Sequence, residues 1–80
     1  MRNPREPSVQ RLHWQCRRGM LELDYILKDY LEQRYPTDTP ELQAAFEALL
    51  QEQDPDLQAW LLQGLPAPAR YHAILGSLRG

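Results

Sequence analysis

Leu23, Ile26, Leu27, Tyr30 and Leu31 fall at the i, i+3, i+4, i+7 and i+8 positions of one helical face, and this rhythm constrains the chain more than any other feature. Three further segments keep it: Leu42, Ala45, Phe46, Leu49 and Leu50; Leu57, Trp60 and Leu61; and Tyr71, Ile74, Leu75 and Leu78. No window alternates with period two, and no Asn-Gly or Asp-Gly pair marks a hairpin. The expected fold class is all-α, a compact single-domain bundle of about five short helices.

Start and stop signals divide these segments. Ser8 is placed to cap a first helix running to about Arg17, with Leu12 and Cys16 four apart. Gly19 follows at once and predicts a tight corner at 17–19. The second helix is expected from about Met20 to Gln33, because the residue before Pro36 is pushed out of the helical region. Thr39-Pro40-Glu41 reads as N-cap, first helical position and an acid in the first turn. Asp54-Pro55-Asp56 repeats that logic with Asp54 as the cap, and Gly64 is the matching stop. Pro66 and Pro68 separate the last helix. Residues 1–7, with Pro4 and Pro7 among alternating charges, are expected to be a flexible N-terminus, which leaves one helical domain over 8–80.

Eighty residues suffice for one small domain with a thin core. A composition 42% hydrophobic and 25% charged, without a long uncharged apolar run or a signal-peptide pattern, predicts a cytoplasmic protein with no direct membrane insertion. The single Cys16 has no internal disulfide partner and reads as a small buried hydrophobe. Charge is uneven: residues 1–18 hold five Arg and one Glu, whereas 19–63 hold ten acids against Lys28 and Arg34. So acidic a middle is a poor match for nucleic acid, and the arginines suit a protein partner better.

The chain offers little for catalysis. His13 and Cys16 are two potential metal ligands three apart, with no second pair to close a tetrahedral site. The glycines are isolated and follow no strand, which argues against a phosphate loop. Asp29, Glu32, Glu41 and Glu47 read as a solvated face. No nucleophile and base pair stands out, so an enzyme is not expected.

The segment Arg17-Arg18-Gly19-Met20-Leu21-Glu22-Leu23-Asp24 departs from the plain amphipathic pattern. On a wheel of about 100° per residue carried back through Arg18, Arg18 and Glu22 point away from the core face. Leu21 and Tyr25 project on that same outer side, and Gly19 falls nearer the core edge, where it would suit a close crossing of helices one and two. Spacing alone leaves two readings: an i, i+4 ion pair beside ordinary surface apolars, or a patch for binding a partner.

At this segment the sequence resembles the SdhE family, assembly factors for succinate dehydrogenase whose signature is Arg-Gly-x-x-Glu, here Arg18-Gly19-Met20-Leu21-Glu22. Leu12-His13-Trp14 and Cys16 upstream, and Asp54-Pro55-Asp56-Leu57 with Trp60-Leu61 downstream, extend the resemblance over roughly residues 10–63. It implies a five-helix protein that binds the flavoprotein subunit of succinate dehydrogenase, and in some bacteria that of fumarate reductase, and promotes covalent attachment of FAD to a histidine of that subunit. Arg18, Gly19 and Glu22 would be the contact residues, with Arg17, Leu21, Asp24 and Tyr25 beside them. The chain would be a monomer that holds no cofactor stably and acts on the FAD of its partner. The alternative is an antitoxin-like module that neutralises another protein.

Overall fold

In a computed structural model, which describes residues 9–79, five α-helices follow one another: α1 (Val9–Gln15), α2 (Leu21–Gln33), α3 (Pro40–Leu49), α4 (Asp54–Leu61) and α5 (His72–Arg79). Short 3-10 turns over Tyr35–Thr37 and Ala69–Tyr71 link α2 to α3 and lead into α5. No strand occurs among the described residues. Ser8 and residues 1–7, for which a cap and a flexible N-terminus were expected, lie outside them.

The helix on which the sequence pattern is clearest is also the one the others pack against: α2 touches α1, α4 and α5. Its Leu23, Leu27, Tyr30 and Leu31 are buried and Ile26 is half-buried at the edge of the same core. Phe46 and Leu49 of α3, Leu57 and Leu61 of α4, and Ile74 and Leu75 of α5 complete it. The rings of Tyr30 and Phe46 tilt against each other with centroids 4.7 Å apart. Burying each such side chain stabilises the fold by about 1.5–3 kcal/mol before entropy is subtracted. In so thin a core no single layer is dispensable.

Polar atoms that reach the interior find partners, and none of the described buried side-chain atoms is left without one. The Tyr30 hydroxyl donates to Asp38, the Tyr35 hydroxyl to Glu47, and the Tyr71 hydroxyl to Glu52 at 2.6 Å. Glu47, expected on a solvated face, is thus half-buried and fastens the turn after α2 to α3.

The starts of α3 and α4 differ in how far they follow the local chemistry. Thr39 caps α3, its hydroxyl accepting from the Leu42 amide at 3.2 Å, with Pro40 at the first helical position. At α4 the cap position belongs to Gln53, and Asp54 is already helical, one residue off the expectation. Its carboxylate serves another segment instead of its own amides, as described below. Gly64 takes φ +68° after α4, a conformation that L side chains rarely adopt, and the Leu65 amide turns back to the Ala59 carbonyl.

Candidate partner-binding surface

The corner between α1 and α2 organises the surface. The α1 helix ends at Gln15, and the Cys16 amide still donates to the Leu12 carbonyl at 3.1 Å. Leu12 and Cys16 sink into the core, which anchors one side of the corner. Burial pushes the Cys16 thiol up from its ordinary 9.0 to about 11, with the Arg18 charge opposing the rise, so it remains a neutral apolar group at physiological pH.

Gly19 turns the chain. Its φ of +81° lies in the left-handed region, where an L side chain strains the backbone. A Cβ built there would meet nothing within 4 Å. Gly19 therefore does not sit in a tight crossing of α1 and α2, as the helical wheel suggested. The positive φ is what requires glycine.

Asp24 holds the turn from the other side. One carboxylate oxygen accepts from the Arg18 amide at 2.7 Å and the other from the Gly19 amide at 3.2 Å. The Asp24 amide in turn donates to Met20, the N-cap of α2, whose own side chain provides no cap. A carboxylate in the first turns of α2 thus reaches back to hold the two residues that lead into the helix, and it complements the helix dipole.

Arg18 corrects the outward orientation expected for it. Its side chain is only 14% exposed, and its guanidinium runs beneath the corner to the junction of α3 and α4. There it donates to the carbonyls of Leu50 and Glu52 and lies 3.2 Å from the Asp54 carboxylate, while Nε donates to Gln15 at 2.8 Å. The i, i+4 ion pair with Glu22 does not form. The wheel failed here because the positive φ at Gly19 swings Arg18 off the axis of α2. Arg18 satisfies carbonyls left open at helix ends, a role suited to a planar fork of five donors.

With Arg18 turned inward, the outer surface is left to the first turns of α2. Leu21 is 86% exposed and Tyr25 is 68% exposed, on the same side of the helix. Glu22 is exposed beside them and makes no hydrogen bond or ion pair among the described residues. Arg17 is exposed at the corner, its guanidinium 5.8 Å from the ring centroid of Trp14, itself 69% exposed. Leu21 and Tyr25 line an open cleft of about 250 Å³, and Trp14 lines the adjoining one of about 410 Å³, the two sharing His13, Arg17 and Lys28. Two exposed aromatics, a leucine, an arginine and a free carboxylate form a surface suited to protein recognition.

Among the described residues no group of three or more His, Cys, Asp and Glu gathers as metal ligands, and no helix is long and apolar enough to cross a membrane. Comparison with known proteins identifies the pattern. A family described as "Flavinator of succinate dehydrogenase", Sdh5, matches residues 10–80. The chain is similar to the FAD assembly factor SdhE of Pseudomonas aeruginosa, 43% identical over 58 residues, which is 72% of this chain and 69% of that protein. The factors of the same name from Pectobacterium atrosepticum and Vibrio cholerae are 48% identical over 55 residues and 46% over 52. These stretches cover 69% and 65% of this chain and 62% and 60% of the relatives, so in these two less than two thirds of the relative is spanned. No solved structure matches. The family match also runs through α5, past the residue 63 at which the resemblance read from motifs stopped, in keeping with the packing of α5 on α2, α3 and α4.

Proposed function

Because this chain belongs to the Sdh5 family, flavinators of succinate dehydrogenase, we propose that it is a FAD assembly factor that docks on a flavoprotein subunit through the α1–α2 corner and the first turns of α2. The carrying observation is the exposed Leu21, Glu22 and Tyr25 set, displayed by a corner that Gly19, Asp24 and Arg18 hold in one shape.

In this reading Leu21 and Tyr25 supply the apolar contact, Glu22 offers an unpaired carboxylate to a donor on the partner, and Arg17 lies at the edge of the contact. Arg18, Gly19 and Asp24 act one step back, by positioning. FAD is the cargo of the reaction and belongs to the partner: the clefts of this chain are open surface depressions, and covalent attachment would join the flavin to the partner's own histidine. This chain would favour the partner conformation in which that attachment proceeds, by binding it more tightly than the alternatives. The succinate dehydrogenase subunit is the primary partner and the fumarate reductase subunit a second one. The factor acts as a monomer in the cytoplasm.

The test is covalent flavin on the flavoprotein subunit, read as in-gel fluorescence after denaturation in cells with and without the gene for this chain. Strong loss of fluorescence in the deletion, restored by the gene, is expected. Equal fluorescence in both strains contradicts the assignment.

A further inference from the structure

The exposed patch continues past Tyr25 into a groove between α1 and α2. Two adjoining open clefts of about 250 and 410 Å³ make it up, and His13, Arg17 and Lys28 line both. Trp14 stands at its rim. Arg17 and Lys28 form no ion pair among the described residues, although Lys28 is one of only two basic residues in a stretch of the chain that holds ten acids.

The carboxylates nearby offset them only in part. Asp24 lines the smaller cleft and keeps its charge, but both of its oxygens are held toward the corner by the Arg18 and Gly19 amides. Glu32 lies 4.0 Å from His13 Nε2 and lines neither cleft. At about 100° per residue, Leu21, Tyr25, Lys28 and Glu32 share one stripe of α2, and Glu22 and Asp29 lie round on the other flank. The two flanks of the Leu21 and Tyr25 ridge thus differ: Arg17 and Lys28 stand in the groove with Asp24 at its corner end, and Glu22 and Asp29 lie on the other side with no cation among them.

We propose that this groove seats an acidic segment of the flavoprotein partner, its carboxylates against Arg17 and Lys28 and an apolar side chain against Trp14. This rests on the docking function proposed above and goes beyond it by assigning the groove and the chemistry of what enters it. A difference in charge between the two flanks of an apolar ridge penalises a reversed partner, so the groove sets orientation as well as encounter rate. A nucleic acid strand is the poorer fit, because phosphates running past two cations meet the acidic remainder of the chain.

The experiment is a titration of the full chain against the purified flavoprotein subunit, comparing wild type, the Arg17→Glu/Lys28→Glu pair and the charge-preserving Arg17→Lys/Lys28→Arg pair. At low salt the reversal is expected to weaken binding by about tenfold or more and the preserving pair by less than about threefold. The gap between wild type and reversal is expected to close towards about 1 M salt, where the Debye length is roughly 3 Å. Wild-type binding together with a reversal variant of unchanged circular dichroism that binds within about twofold overturns the groove assignment and leaves the docking function standing. Binding of a labelled oligonucleotide or anionic vesicles that is lost in the reversal variant, with flavoprotein binding unaffected, also overturns it. Absence of wild-type binding to the flavoprotein overturns the docking function and this inference with it.

Discussion

The Arg18 guanidinium lies 3.2 Å from the Asp54 carboxylate, thirty-six residues further along the chain, and so fastens the α1–α2 corner to the start of α4. The arginine of the family signature is therefore built into the scaffold, and the signature divides into residues that shape the corner and a residue, Glu22, that faces out. Replacing Arg18 by Ala leaves the Leu50 and Glu52 carbonyls without this donor, and a loss of about 1–3 kcal/mol is expected. In a domain this small each kcal/mol lowers the melting temperature by about 4–8 °C. Arg18→Lys should recover only part of it, since one ammonium cannot reproduce the fork. A melt of Arg18→Ala that overlays wild type would show the clamp to be idle.

Gly19 separates backbone strain from crowding. Because a Cβ there meets nothing while φ is +81°, Gly19→Ala should lose about 1–2 kcal/mol through conformation alone. Gly19→Asn, though larger, should lose less, since Asn visits the left-handed region more readily. Denaturant titration of both variants checks the order. A greater loss for Asn would point to crowding.

Asp24 predicts a local effect. Asp24→Ala removes the acceptor for the Arg18 and Gly19 amides, and both should lose protection against hydrogen exchange. Global stability should fall by about 1–3 kcal/mol, the usual loss when backbone donors are left without their acceptor. Asp24→Asn, which keeps one oxygen, should lie between. Unchanged exchange at both amides in Asp24→Ala would contradict its hold on the corner.

Two core groups make stability depend on high pH. Burial raises the Cys16 thiol from 9.0 to about 11, and burial followed by the hydrogen bond to Asp38 raises the Tyr30 hydroxyl above its ordinary 10.0. Each folded-state value exceeds the unfolded one, so the native chain retains protons that the unfolded chain releases. Their contribution is complete below about pH 9 and declines above it as the unfolded chain ionises. Melting temperatures should be level between about pH 7 and 8.5 and fall beyond about pH 9, with a shallower fall in Tyr30→Phe. A level profile through about pH 10.5 would contradict this.

Much of the fold was legible because its causes are local. Thr39-Pro40-Glu41 names its own helix start, and Leu23, Leu27, Tyr30 and Leu31 reach the core at the spacing that one helical face demands. The exposure of Leu21 and Tyr25 followed from the same wheel. Arg18 was misread because its partners lie 32 to 36 residues away and because one left-handed residue breaks the wheel on which its direction was drawn. Asp54 was misread for the reciprocal reason: a cap pattern shows in sequence, but an arginine arriving from another helix does not. Asp24 did leave a local sign, an acid at the start of a helix that follows a glycine corner, where it complements the dipole. Trp14 left none, for its place in the cleft adjoining that of Leu21 and Tyr25 depends on the corner that brings α1 alongside α2.

The most direct measurement of the central claim is reconstitution: purified flavoprotein subunit lacking flavin is incubated with FAD, and covalent flavin is followed with time. Wild-type chain should raise the yield or rate well above FAD alone. A Leu21→Ser/Glu22→Ala/Tyr25→Ser variant should bring it back to that baseline while its circular dichroism and melting temperature match wild type. Equal stimulation by the variant would contradict docking through this surface, and no stimulation by wild type would contradict the assembly function itself.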